Sequence, residues 1–438
     1  MRKTLLFLAA ALLVVACPAD KGPIEKRDKP DASKESTMPP SVDRTDVPAT
    51  APGEPAGAPE ADILAATGGG NAFAVGLYHQ LRKEEGNLFY SPYSLSTALA
   101  MTFAGARGET AAQMASAMHF SLDPVRLHPA MAGLSREIMA RAEKAGNQLR
   151  IANRLWGQQG YAFLPAFLEL TRKIYAAELT PLDFAATEPA RQTINGWVAG
   201  KTADKILDLI PKGVLSPETR LVLTNAIYFK GSWARKFKEE HTRPRPFHLS
   251  VSEKTEVPMM AQVDEFRYAQ QGDLALLELP YAGDELSMVV LLPDAIDGLG
   301  KLEQSLSADG LTAWLKSMRE QEVELSLPRF KLSCGFSLPK QLMALGMQLA
   351  FGMQADFTGM TAQKPGLYIS DVIHKAFVEV NEEGTEAAAA TAVVMAEQGL
   401  KRDRHPVFRA DHPFLFLIRD RKSGQILFLG RVANPLGG

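Results

Sequence analysis

One segment constrains what the rest of the chain can fold into: Glu382-Glu383-Gly384-Thr385-Glu386-Ala387-Ala388-Ala389-Ala390-Thr391, running on to Ala392-Val393-Val394-Met395-Ala396. It follows a strand-like run, Phe377-Val378-Glu379-Val380, and precedes a polar stretch carrying Lys401, Arg402, Arg404 and Arg409. Local propensity reads the consecutive alanines behind Thr385 as a short helix. Alternation offers a second reading. As a strand, Thr385, Ala387, Ala389, Thr391, Val393 and Met395 share one face, small at its leading end and more apolar along the run. Glu386, Ala388, Ala390, Ala392 and Val394 share the other. No proline interrupts the ladder.

The chain begins with Arg2 and Lys3 ahead of an apolar run, Leu5 to Val15, which is too short to span a bilayer and reads as a secretory signal. Val14-Val15-Ala16-Cys17 resembles the lipobox of bacterial lipoproteins. That resemblance implies cleavage after residue 16 and lipidation of Cys17, several acyl chains anchoring the protein stably to the cell envelope. With Cys17 lipidated and Cys334 the second of two cysteines, no internal disulfide is expected. From Cys17 to about Thr67 the composition is rich in Pro, Ala, Asp, Glu, Lys and Gly. It has almost no large apolar residues to offset ordering entropy, so a disordered tether is expected.

Residues 68–438 are expected to form one large domain. Helical stripes appear at Phe73, Leu77 and Leu81, at Leu95 and Leu99 behind the Ser91-Pro92 cap, and at Leu338, Leu342, Leu345 and Leu349. Strand-like runs appear at Leu221 to Phe229, Leu274 to Leu279, Met288 to Leu292 and Val323 to Leu327. Phe414 to Ile418 and Ile426 to Val432 read as a buried hairpin. Strands and helices without regular alternation point to an α+β fold. A net charge of −2 and the lack of a basic stripe with interleaved aromatics argue against nucleic acid. The histidines show no H-E-x-x-H spacing, and G-x-S-x-G and phosphate-loop motifs are missing. Neither an enzyme nor a metal protein is expected, and no cofactor is required.

The hinge-like segment and a series of further motifs, in order, resemble the serpin family. Ser91-Pro92-Tyr93-Ser94 and Gly105-Ala106-Arg107-Gly108-Glu109-Thr110 look like the second helix of that fold and its following turn. Leu223-Thr224-Asn225-Ala226-Ile227-Tyr228-Phe229-Lys230-Gly231-Ser232-Trp233 is close to its most recognisable internal strand. Leu277-Glu278-Leu279-Pro280-Tyr281, Leu327-Pro328-Arg329-Phe330, His374-Lys375-Ala376, Asp411-His412-Pro413-Phe414 and Gly430-Arg431-Val432-Ala433-Asn434-Pro435 continue the series.

The resemblance implies helices around three β-sheets with an exposed reactive-centre loop. It implies suicide inhibition of an endopeptidase, probed by covalent complex formation, and a monomer. A protease acylated on the loop would be trapped when the hinge, Glu382 to Thr391, enters the main sheet as an extra strand. Family spacing points to Gln398–Gly399 as the reactive bond, with Met395, Ala396, Lys401 and Arg402 as neighbouring alternatives. It also implies a shutter cluster of Ser91, Ser94, Asn195 and His374, and an entry region with Trp233 and Arg329 near Glu382. The alternative is a serpin-like binding or structural module that no longer inhibits. The inward-facing hinge positions Thr385, Ala387, Ala389 and Thr391 carry none of the bulky, charged or proline residues of such relatives.

Overall fold

Strand pairing places the strands of the described residues in two hydrogen-bonded sheets. The computed structural model describes residues 57–363, 366–385 and 405–437. In chain order the strands are β1 (Leu88–Tyr90), β2 (Gln148–Gln158), β3 (Leu179–Leu182), β4 (Leu221–Ser232), β5 (Arg243–His248), β6 (Lys254–Gln271), β7 (Leu274–Pro280) and β8 (Leu286–Pro293). They continue as β9 (Arg319–Pro328), β10 (Phe330–Ser337), β11 (Asp371–Asn381), β12 (Gly384–Thr385), β13 (Val407–Arg409), β14 (Phe414–Asp420) and β15 (Ile426–Val432). The helices are α1 (Glu60–Leu81), α2 (Pro92–Phe103), α3 (Gly108–Ala117), α4 (Pro124–Lys144), α5 (Pro165–Tyr175), α6 (Thr187–Lys201), α7 (Leu299–Ser305), α8 (Ala308–Ser317) and α9 (Pro339–Ala344).

The smaller sheet has the order β10-β11-β12-β4-β2-β3 and the larger one β1-β15-β14-β8-β7-β6-β9-β13, with β5 paired to β6. Three sheets were expected from the resemblance. They form two networks because β6 is long enough to carry β5 along its first part, β9 along its middle and β7 along its last. The expected C-terminal hairpin is present as β14–β15, and β15 also pairs with β1 near the other end of the chain.

Three apolar clusters hold these layers together. One joins α1 and α2 to β8, β14 and β15 through Phe73, Leu77, Leu99, Leu291, Leu417 and Leu429. A second lies between the sheets, where Ile227, Phe229 and Val378 meet Val290, Phe414 and Phe416. The third covers the other face of the smaller sheet, with Ile194 and Val198 of α6 over Ala226, Tyr228, Ile373 and Phe377.

Two boundaries differ from the sequence reading. The tether was expected to reach Thr67, yet α1 begins at Glu60. Its first turns are held by buried Ile63 and Ala66 and by Asp62, which accepts from Arg126 Nε at 3.1 Å. The leucine stripe expected over Leu338 to Leu349 breaks after α9, where Gly346 takes φ +107° and a short 3₁₀ turn follows at Leu349–Phe351.

Candidate functional site

β11 and β4 lie side by side along a seam with two different ends. Over its lower run β11 pairs directly with β4 in parallel, from Asp371↔Val222 to Phe377↔Tyr228. Above that run the chain leaves β11, turns at Glu382 and Glu383, and comes back as β12 between the same strands. Thr385 is registered with Val380 on one side and Gly231 on the other; Gly384 is registered with Asn381 and Ser232. Gly384 and the first residue of the alternating segment, Thr385, are therefore already a strand. Glu386, Ala387, Ala388, Ala389, Ala390 and Thr391, the Gln398–Gly399 bond and Cys17 lie outside the described residues.

The turn is fastened from several directions. Asn381 Oδ1 accepts from the Glu383 amide at 3.1 Å. The amides of Trp233 and Phe237 donate to the Glu383 and Glu382 carbonyls at 2.9 and 3.0 Å. The Trp233 indole N–H donates to the Asn381 carbonyl at 2.9 Å, and its ring stacks on Tyr281 with centroids 4.7 Å apart. Glu382 is buried, and its carboxylate accepts from Arg329 Nε at 2.7 Å and from the Thr242 hydroxyl. Burial works against its ionised form, but Arg329 and Thr242 outweigh that and hold the carboxyl below its ordinary pKa. Lys236 Nζ reaches Glu383 at 2.5 Å on the outer side. Beside the turn lies a cavity of about 360 Å³ lined in part by Arg329, Phe330, Val380, Glu382 and Leu436.

Along the lower run the seam is crossed by polar side chains. His374 is fully buried. Its Nε2 accepts from the Ser91 amide at 3.0 Å, which leaves the proton on Nδ1 to be donated to Asn225 Oδ1 at 2.5 Å. His374 and Asn225 are cross-strand partners, so this bond ties β11 to β4. Asn225 Nδ2 in turn donates to Ser94 Oγ at 2.6 Å and to Asn153 Oδ1. Ser91 Oγ donates to the Leu427 carbonyl of β15 at 2.6 Å and accepts the Ser94 amide at 3.1 Å, capping α2 directly beneath the seam. Burial pushes the His374 imidazole down to about 3, so it is neutral at physiological pH.

Asn195 does not join this group. It sits on α6, where Nδ2 donates to the Ile210 carbonyl at 3.0 Å and Oδ1 accepts the Ile210 amide at 2.8 Å. Neighbours of α6 pack against Ala226 and Ile373, whose side chains face away from Asn225 and His374. The asparagine of the cluster is Asn225. The sequence held a signal for it: Thr224-Asn225 interrupts an otherwise apolar strand of which every residue from Leu221 to Phe229 is buried. Trp233 and Arg329 do meet at the turn with Glu382. Among the described residues, no group of three or more His, Cys, Asp or Glu is placed to hold a metal ion.

A family model described as Serpin (serine protease inhibitor) matches residues 69–435. Leukocyte elastase inhibitor of Bos taurus is 46% identical over 376 residues, covering 83% of this chain and 97% of the relative. The protein of the same name from Homo sapiens is 46% identical over 375 residues, with the same coverage. Among solved structures, uncleaved ovalbumin aligns with a TM-score of 0.76 at 31% identity, covering 85% of this chain and 100% of that one. Human thyroxine-binding globulin complexed with thyroxine aligns with a TM-score of 0.77 at 30% identity, covering 85% and 99%.

Proposed function

Because this chain belongs to the serpin family of serine protease inhibitors, we propose that it traps an endopeptidase covalently by inserting its cleaved loop into the smaller sheet. It belongs with inhibitors and not with catalysts. The observation that carries the reading is the placement of Gly384 and Thr385 between β11 and β4, above a run where those strands still touch. Insertion would extend a strand already started.

The register indicates what each inserted residue would meet. Thr385 points inward, so Ala387, Ala389, Thr391, Val393 and Met395 would follow it on that face. Carried on in the same register, Thr391 would arrive between Asn225 and His374. A hydroxyl would then meet the one polar cluster on the path, while the small and apolar neighbours meet apolar walls. In this reading Ser91, Ser94, Asn225 and His374 form the shutter, and Trp233, Arg329 and Glu382 hold the entry. An inserted run of about 12 residues spans about 40 Å, enough to carry an acylated protease from one end of the sheet to the other. The relatives named for leukocyte elastase favour a serine endopeptidase as partner, attacking at or near Gln398–Gly399. Incubating the protein with a panel of serine proteases should give a complex stable on a denaturing gel. Clean cleavage without any complex would leave a non-inhibitory module in its place.

On the residues of the leader alone, we further propose that Cys17 is lipidated and holds the domain at a bacterial cell envelope. No described helix is long and apolar enough to cross a membrane. Fatty-acid labelling that is equal in wild type and Cys17→Ser would remove this proposal.

A further inference from the structure

The residue that seats the start of the loop is one the family motifs leave without a role. Thr385 is fully buried, and among the described residues its side chain hydrogen-bonds to Tyr281, hydroxyl to hydroxyl at 2.6 Å. Tyr281 follows β7 and comes from the opposite sheet, and it is itself fully buried. Its ring is clamped on two sides: it stacks on Trp233 with an interplanar angle of 13°, and meets Phe229 edge-on with centroids 4.9 Å apart.

Two glycines make the contact possible. Gly231 is the β4 partner of Thr385, and a Cβ there would stand 3.0 Å from the Tyr281 ring and 2.7 Å from Phe229. The bare backbone lets the ring lie flush under the strand. Gly384 takes φ +151°, and a Cβ on it would run into the Gly231 carbonyl oxygen. The hinge backbone can approach β4 only without side chains at both positions, and Tyr281 fills the space they leave. Burial pushes the Tyr281 hydroxyl far above its ordinary pKa, so it remains protonated and able to pair with Thr385.

We infer that Tyr281 is a positioning residue for loop insertion, holding Thr385 in register before cleavage so that the inserting strand starts from a formed end. The inference rests on the insertion mechanism proposed above. It acts through a hydroxyl pair that exists only while the hinge is seated. Without the Tyr281 hydroxyl, the buried Thr385 hydroxyl has no partner, and the seated state loses population relative to a hinge lifted out of the sheet.

Tyr281→Phe keeps the ring, its stacking and the fold, and removes only the hydroxyl. Thr385→Val removes the other half of the pair at nearly constant shape. Hydrogen exchange of the peptide spanning Glu382 to Thr385 in intact protein should rise by about tenfold in Tyr281→Phe, with exchange in β7 and β8 unchanged. With a protease that the wild type traps, the number of inhibitor molecules consumed per protease inactivated should rise severalfold, while the association rate does not fall. In the Thr385→Val background Tyr281→Phe should add nothing further, and Thr385→Ser should behave as wild type. Unchanged hinge exchange in Tyr281→Phe, or an equal effect in both backgrounds, would overturn the assignment. A wild type that traps no protease would instead remove the insertion mechanism, and the exchange measurement would still decide whether Tyr281 seats the hinge.

Discussion

The upper and lower ends of the β4–β11 seam are built by the same two strands and closed by opposite means. At the top the strands are held apart, the gap filled by Gly384 and Thr385 and fenced by Trp233, Tyr281 and Glu382. At the bottom they pair with each other, and a neutral imidazole is bonded across the join to an amide. The top resembles a site that has begun to receive a strand, and the bottom a site that resists one. Nearly all of the fastening at the top is to the turn, which need not move for the strand behind it to advance. The fastening at the bottom lies in the path. Insertion is thus expected to start readily and to meet its main resistance at His374 and Asn225.

Cleavage of the loop offers the largest test of that contrast. Cutting at or near Gln398–Gly399 frees the alternating segment to pair on both sides, and Val393 and Met395 alone would each contribute about 1.5–3 kcal/mol on full burial. The cleaved protein should melt at a clearly higher temperature than the intact one, by calorimetry at one scan rate. An ordinary surface loop would show no rise. Thr385→Arg should come next. It places a charge where the structure buries Thr385 completely, at a cost of several kcal/mol if the hinge stays seated. The loop should remain cleavable while consumption of inhibitor per protease inactivated rises about tenfold or more; an unchanged ratio would break the distinction between the two ends.

Acid should act on the lower end by a smaller amount. The His374 pKa falls from an ordinary 6.5 to about 3 on burial, and that of buried His128 falls to about 4. Unfolding therefore takes up protons between these values and 6.5. The stability tied to the neutral imidazoles is fully present above pH 6.5 and is lost progressively as pH falls toward 4 and 3. The melting temperature should drop across that window, and His374→Gln should flatten the slope; an equal slope in the variant would remove His374 from the account. Smallest of all is Lys236→Ala at the top. Its partner Glu383 is held by backbone bonds as well, and Lys236 is half exposed, so the change should cost less than about 1 kcal/mol in melting experiments.

The fold was legible in the sequence because it is written in many short, ordered motifs, each tied to a buried strand or turn. Leu223 to Trp233 and Phe414 to Val432 lie where expected, and the Ser91 cap opens α2 as read. Thr385, the first residue of the alternating reading, lies in a strand with Gly384 ahead of it, paired on both sides, while the alanines that the helix reading rested on lie outside the described residues. What the sequence hid depends on contacts between distant elements. Asn195 and Asn225 are equally polar, and only the tertiary placement of α6 on the far face of the smaller sheet and of β4 in the seam decides which one meets His374. Tyr281 stood in a recognised motif, but its contact with a residue 104 positions away has no local trace. The early start of α1 likewise leans on tertiary contacts, since α4 supplies Arg126 to pair with Asp62 and a surface for Ile63.

The pairing of β1 with β15 bears on how the molecule is made. Phe89 is registered with Gly430, so the first strand in chain order waits for nearly the whole chain to be synthesised before it can pair. At ordinary translation rates of 5–20 residues per second, that wait lasts roughly tens of seconds. The carbonyl that receives the Ser91 hydroxyl belongs to Leu427, on the same late strand. The anchoring of the α2 cap beneath the seam is therefore among the last contacts a newborn chain can make. A chain released a few residues short of β15 would carry both strands of the seam but not the carbonyl that anchors Ser91 beneath it.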